Sequence, residues 1–161
     1  MTSFLTLAVA AVLTGLDQWI KALVAAHLKE TGTLMLIPGV LQLHYTENDG
    51  AMMGMLSGKT VLVAILAVIM LVIMVYVIFS RKVTSKVLYC ALVCVFSGGL
   101  GNIIDRIFRG YVIDYIEVLF VKFYIFNFAD CLITVGAFVI LIYEFVTLIL
   151  EQKRKKAPAN G

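Results

Sequence analysis

Residues 60–79 read TVLVAILAVIMLVIMVYVIF, twenty consecutive positions without a charge. A hydrocarbon core of about 30 Å needs about 20 helical residues, so this stretch is long enough to cross it. Working outward, about 87–104 and 131–150 are comparable runs, the second carrying only Glu144. About 4–26 completes a set of four, although Asp17 and Lys21 interrupt it. The start of the chain lacks a basic leader and runs on into Asp17-Gln18-Trp19-Ile20-Lys21, so it reads as an uncleaved first membrane helix.

Composition agrees. Of 161 residues 62% are hydrophobic and 14% charged, with a mean hydropathy of +1.03. A soluble domain is about half apolar and about a quarter charged. The expected class is therefore an all-α membrane protein, a single membrane domain over 1–161. The net charge of +3 gives no reason to expect nucleic acid. Three cysteines, Cys90, Cys94 and Cys131, lie in or beside apolar runs and form no disulfide framework. Cys90 and Cys94 share a helical face and read as core; Cys131 reads as a small packing residue.

The link between the second and third spans holds Arg81, Lys82 and Lys86, and the tail 151–161 holds Lys153, Arg154, Lys155 and Lys156. Short cytoplasmic segments are enriched in Lys and Arg, so both termini and this link are expected in the cytoplasm. The segments 27–59 and 105–130 then lie outside. Together with Asp17 they hold eight of the ten acidic residues. Leu41, Leu43 and Tyr45 alternate with Gln42, His44 and Thr46, the period of a half-buried strand, before a turn at Asn48-Asp49-Gly50. Val118 to Tyr124 reads as a stretch lying on the bilayer surface. These features predict a small extracytoplasmic β cradle. The last nine residues read as disordered.

Polar groups gather at one rim of this apolar chain: Asn48, Asp105 with Asp114 close behind, and Asn127 with Asp130. Ionisable groups at a membrane are expensive and mark function. Two carboxylates held close cannot both ionise, and such a pair supplies a base for water and an acid for a leaving amine. Asp114, in Val112-Ile113-Asp114-Tyr115-Ile116, and Asp130, beside Phe128, Ala129 and Cys131, have the apolar surroundings that raise a carboxyl pKa. Asp105 is expected to be held ionised by the adjacent Arg106 and to play a supporting part. The plainer alternative is that these aspartates cap helices and pair with Arg106, Arg109 or Lys122.

Asp17 and Lys21, four apart on one helix, share a face and read as a mutual ion pair, with Asp17 about 20 Å from the helix start. Asn48, Asn102 and Asn127 offer donors and acceptors to a peptide or to the aspartates. Ser97-Gly98-Gly99-Leu100-Gly101 reads either as close helix packing or as room for an acyl chain. His27 and His44 lack partners at metal-ligand spacing, and Ser57 and Ser97 lack a placed base. Neither a metal nor a cofactor is expected. A proton-coupled carrier would distribute its acids through the depth of several spans; here they sit at one rim.

Asn48-Asp49-Gly50-Ala51, Gly101-Asn102-Ile103-Ile104-Asp105-Arg106, Val112-Ile113-Asp114-Tyr115 and Phe126-Asn127-Phe128-Ala129-Asp130 together closely resemble the motifs of bacterial lipoprotein signal peptidase (signal peptidase II). The Asp17-Gln18…Lys21 element resembles that family too, and the likeness covers about residues 10 to 150. It implies an aspartic endopeptidase of the bacterial cytoplasmic membrane with its site on the extracytoplasmic side. Such an enzyme cleaves diacylglyceryl-modified prolipoproteins before the lipidated cysteine, in contact with membrane lipid, and is a target of the cyclic peptide globomycin. By motif position, Asp114 and Asp130 would be the catalytic dyad. Asn48, Gly50, Asn102, Asp105, Arg106 and Asn127 would line the site, with Asp17 and Lys21 in support. Where the family usually shows Phe after Asn-x-Gly-Ala, this chain has Met52-Met53-Gly54; methionine can fill an apolar pocket of similar size.

Overall fold

The computed structural model describes residues 3–50, 60–80, 83–121 and 123–156. Ala51, Met52, Met53, Ser57, Arg81, Lys82 and Lys122, to which the sequence reading attached meaning, lie outside the described residues. The element order is α1 (Ser3–Leu28), β1 (Thr33–Ile37), β2 (Leu41–Asn48), α2 (Thr60–Phe79), α3 (Lys86–Phe108), β3 (Val112–Val118) and α4 (Phe128–Lys156). All four helices are long and apolar enough to cross a membrane.

The helix α3 is the hub, packing against α1, α2 and α4. Polar bonds from α1 to α3 advance together along both helices. The hydroxyls of Thr6 and Tyr89 are 2.5 Å apart, the Thr14 hydroxyl donates to Ser97 O at 3.2 Å, and Gln18 Nε2 donates to Gly101 O at 3.0 Å. The two helices are therefore parallel and finish at the same end of the bundle. The partner α4 runs the opposite way. Its N-terminal Ala129 and Ile133 lie against Gly98, and its Gly136 lies against Ala91 and Val95 one to two turns nearer the start of α3.

These contacts decide the reading of the small-residue stretch. A Cβ at Gly98 would run into the carbonyl oxygen of Ala129, one at Gly101 into the Asp17 carboxylate, and one at Gly99 would come within 3.0 Å of Leu71 in α2. Gly98, Gly99 and Gly101 each let a different helix approach, which is how apolar helices associate without a hydrophobic drive between them.

A three-stranded antiparallel sheet, ordered β1-β2-β3, closes the end where α1 and α3 finish and α4 begins. The β1–β2 turn closes through Val40 N donating to Ile37 O at 3.0 Å, with Gly39 at φ 70°. Val24 and Leu28 of α1 form a buried cluster with Ile113 and Tyr115 of β3, against which Leu43 and Phe128 pack. That cluster fixes β3 across the top of the bundle. An irregularity between Leu43 and Thr46 shifts the β2–β3 register so that Thr46 faces Asp114. The expected strand and turn at 41–50 are present; the predicted alternation of burial is not, since nearly all of β2 is half-buried.

The outer surface of the helices is apolar, and α2 is the least enclosed, with Val61, Met70 and Val72 all more than half exposed. Phe120 is 69% exposed beyond β3. Three expectations change. The helix α4 continues to Lys156, so Lys153–Lys156 are helical rather than disordered. The same helix starts at Phe128, earlier than its apolar run, because its first turn is capped from several directions. Cys90 is exposed and Cys94 half-buried, so neither is core.

Candidate active site

The first turn of α4 carries Asp130, and each of its backbone N–H groups has a partner. Phe128 N donates to the Tyr115 hydroxyl at 3.2 Å, Ala129 N to Asp17 Oδ1 at 3.0 Å, Asp130 N to Asn127 Oδ1 at 2.9 Å, and Cys131 N to Asn127 O at 3.2 Å. Asp130 Oδ2 returns the favour by accepting from Asn127 N at 3.2 Å. This reciprocal pair is a capping box. The helix-capping alternative is thus realised at Asp130, and the cap aims the other carboxylate oxygen, Oδ1, at Asn102.

Asp114 lies on β3 with 3% of its surface exposed. Asn48 Nδ2 donates to its Oδ2 at 2.8 Å and Asn127 Nδ2 to its Oδ1 at 2.6 Å. Asn102 Nδ2 donates to Asp130 Oδ1 at 2.8 Å. The amide orientations follow from a cation. Lys21 Nζ, which can only donate, lies 2.9 Å from Asn102 Oδ1, and Asn127 Nδ2 reaches the same oxygen at 3.2 Å. The Asn102 carbonyl is therefore committed to donors, and its NH2 faces Asp130. One connected set of amides joins both carboxylates.

Burial pushes the Asp114 carboxyl up to about 6 from its ordinary 3.8. The donors Asn48 and Asn127 and the Lys21 charge oppose that rise, while the Asp130 charge adds to it. The Asp130 charge therefore bears directly on the Asp114 carboxyl.

Beneath this layer lies a charge-balanced group. Lys21 Nζ is 2.9 Å from Asp17 Oδ2 and 2.7 Å from Asp105 Oδ2, with Lys21, Asp17 and Asp105 all wholly buried. The Lys21 ammonium is thus ion-paired with both Asp17 and Asp105 and donates to Asn102 Oδ1. Arg109 forms an ion pair with Asp105 Oδ1 and donates to Gln18 Oε1 at 3.1 Å. Two cations face two carboxylates. Buried pairs of this kind hold geometry, and removing one partner leaves an uncompensated charge.

The expectation that Arg106 holds Asp105 is corrected here. Consecutive helical residues point about 100° apart, whereas residues four apart share a face, so Asp105 takes Arg109. Arg106 instead turns towards the cavity and bonds two carbonyls, Asn102 O at 3.2 Å and Gly50 O at 2.8 Å. It thereby ties α3 to the end of β2, where Gly50 N closes an Asx turn by donating to Asn48 Oδ1 at 3.0 Å.

A cavity of about 660 Å³ opens over the two aspartates. Asn48, Asn102, Arg106, Asp114 and Asp130 line it; Asn127 lies buried beneath, and Asp17, Lys21 and Asp105 form the layer below that. Phe123 to Phe126 supply an apolar wall. The other candidates stand apart. His27 Nδ1 bonds Leu23 O, and His44 pairs with Glu117 on the sheet; Ser97 donates to Val93 O. Sequence reasoning missed Gln18 and Tyr115 as positioning groups. It also missed Cys131, which lines the cavity. The Asp105–Arg109 spacing of four was the one available signal for Arg109.

A family model for signal peptidase II matches residues 9–146. The chain belongs to the signal peptidase II family. It is 37% identical over 153 residues to the lipoprotein signal peptidase of Enterococcus faecalis, covering 95% of this chain and 92% of that protein. To the lipoprotein signal peptidase of Halalkalibacterium halodurans it is 34% identical over 155 residues, covering 95% and 97%. The fold matches a bacterial membrane enzyme solved by the in meso method at 2.3 Å. That likeness has a TM-score of 0.82 and 30% identity, over 99% of this chain and 96% of that one. A second such enzyme, solved at 1.9 Å, matches with a TM-score of 0.78 and 31% identity. Membership of signal peptidase II makes this chain a multi-pass membrane aspartic protease.

Proposed function

We propose that the protein removes the signal peptide from diacylglyceryl-modified prolipoproteins, cleaving before the lipidated cysteine with Asp114 and Asp130 as the catalytic pair. The observation that carries this reading is the amide-bridged pair of aspartates under one cavity, Asn127 donating to Asp114 and Asn102 to Asp130. One carboxylate of the pair, ionised, takes a proton from water as the water oxygen attacks the scissile carbonyl carbon. The other, protonated, gives its proton to the nitrogen as the C–N bond breaks. The products are a signal peptide ending in a carboxylate and a lipoprotein with a free amine on its modified cysteine. The donors Asn48, Asn102 and Asn127 keep the pair in place while protons move; Arg106 and Gly50 border the substrate path.

The site is assigned to the extracytoplasmic face of the bacterial cytoplasmic membrane, in keeping with the basic cluster Lys153, Arg154, Lys155 and Lys156 at the far end of α4. The signal peptide then lies among lipid beside α4 with its cleavage site at the rim. Globomycin is expected to occupy the same cavity, its hydroxyl between the aspartates.

The test is cleavage of a diacylglyceryl-modified prolipoprotein by the purified protein in detergent. Wild type should cut before the modified cysteine, with the activity blocked by globomycin, and Asp114→Asn and Asp130→Asn should not cut. Full activity in either variant would remove that residue from the pair; a folded wild type inert on lipidated substrate would remove the function.

A further inference from the structure

Below Asp130, one wall of the cavity is α4 itself. Cys131 and Thr134 line it, one and four positions beyond Asp130, with Val135 beside them. The face is open: Thr134 and Val135 are exposed, while Gly136 is buried against α3. Further along, the exposed positions Phe138, Leu141 and Ile142 are bulky and apolar, as lipid contact requires. Thr134 is polar where its exposed neighbours Val135, Phe138, Leu141 and Ile142 are apolar. Across the cavity stand Phe123, Tyr124 and Phe126, with Phe123 stacked on Tyr124 at 4.2 Å between ring centroids. A side chain entering here is confined between aromatic rings and two small residues of α4.

We propose that Cys131 and Thr134 form a specificity wall that sets the side-chain size accepted in the substrate residues just before the cleaved bond. The inference rests on the proposed function, in which the signal peptide lies along the span and the scissile carbonyl sits between Asp114 and Asp130. A helix rises about 1.5 Å per residue, so Thr134 lies about 6 Å further into the span than Asp130. An extended chain covers about the same distance in two residues. Thr134 therefore faces the substrate side chain two residues before the cut, and Cys131 lies beside the one that follows. Enlarging Thr134 narrows the space available to that side chain, and shortening it widens the space.

Two prolipoprotein substrates, identical except for Ala or Leu two residues before the cut, test this with full-length protein. The ratio of kcat/KM between them, measured on one preparation, does not depend on the folded fraction. Thr134→Leu should shift the ratio about ten-fold or more against the Leu substrate, the usual effect of one or two methylenes in a filled pocket. Thr134→Ala should shift it the other way. Phe138→Ala, on the lipid-facing surface, should leave the ratio as in wild type. An unchanged ratio in both Thr134 variants, with cleavage intact, overturns the wall and leaves the function standing. Wild type cutting neither substrate overturns the function and the wall with it. A second measurement needs no turnover. With Cys90→Ser and Cys94→Ser, Cys131 is the sole thiol, and a non-hydrolysable lipopeptide analogue should slow its reaction with a maleimide at least about ten-fold. Equal rates with and without the analogue overturn the placement.

Discussion

Replacing Asp114 by Asn should abolish cleavage and also change how stability depends on pH, by an amount the structure sets. The carboxyl is raised from 3.8 to about 6 in the folded protein, a difference of about two pH units. At about 1.4 kcal/mol per unit, that is about 3 kcal/mol. Because the folded value is the higher one, the native state binds this proton more tightly. Its contribution to stability is complete below pH 3.8 and is lost as pH rises through about 6. Asn has no proton to lose. It does leave one of the two donors, Asn48 Nδ2 or Asn127 Nδ2, facing an amide NH2, but that cost is the same at every pH. The quantity to follow is therefore the difference between variant and wild type. Between about pH 4 and about pH 7.5, Asp114→Asn should gain about 3 kcal/mol on wild type. With about 2–4 °C per kcal/mol for a chain of this size, the gap in Tm should move by about 6–12 °C. Thermal unfolding in detergent across that pH range, with cleavage measured in parallel, is the assay. Parallel Tm curves for the two proteins would refute the account of a buried, proton-retaining Asp114.

Lys21→Met would strand Asp17 and Asp105 without their shared ammonium and should cost about 3–5 kcal/mol of stability by chemical unfolding, as loss of one partner of a buried pair does; a cost below about 1 kcal/mol would mean the group is wetter than its geometry. Asn102→Ala removes the donor to Asp130 and one acceptor of Lys21, and should lower kcat about 10²-fold with little change in KM, as losing a preorganised donor does. Gly98→Ala places a methyl against the Ala129 carbonyl and should destabilise by about 1–3 kcal/mol. Gly15→Ala on α1, where nothing lies within 4 Å, should be neutral or slightly stabilising in the same unfolding assay.

Much of the fold was legible because membrane spans are a local property. Twenty uncharged residues at 60–79 need no tertiary information to be read as a helix, and α2 has those bounds. The strand β1 was not foreseen as a strand, since Leu34 to Ile37 is a plain apolar run with neither the alternation of a half-buried strand nor the length of a span. The extension of α4 back to Phe128 was hidden for another reason. Its cap draws on Asp17 in α1 and Tyr115 in β3 as well as on Asn127, and no local pattern reports partners so far away in sequence.

The sequence by itself determined the four spans and which polar residues lie near their ends, because hydropathy and chain length act residue by residue. Only the tertiary structure decided what those residues do for one another. Arg109 rather than Arg106 took Asp105, because helical geometry sets direction every 100° and adjacency in sequence does not. Asn102 was oriented by a lysine 81 positions away. Gly98 and Gly101, ambiguous in the sequence, became contact points once α4 and Asp17 came to rest on them. Each of these outcomes depends on the angle and closeness of two helices, which no single segment of the chain encodes.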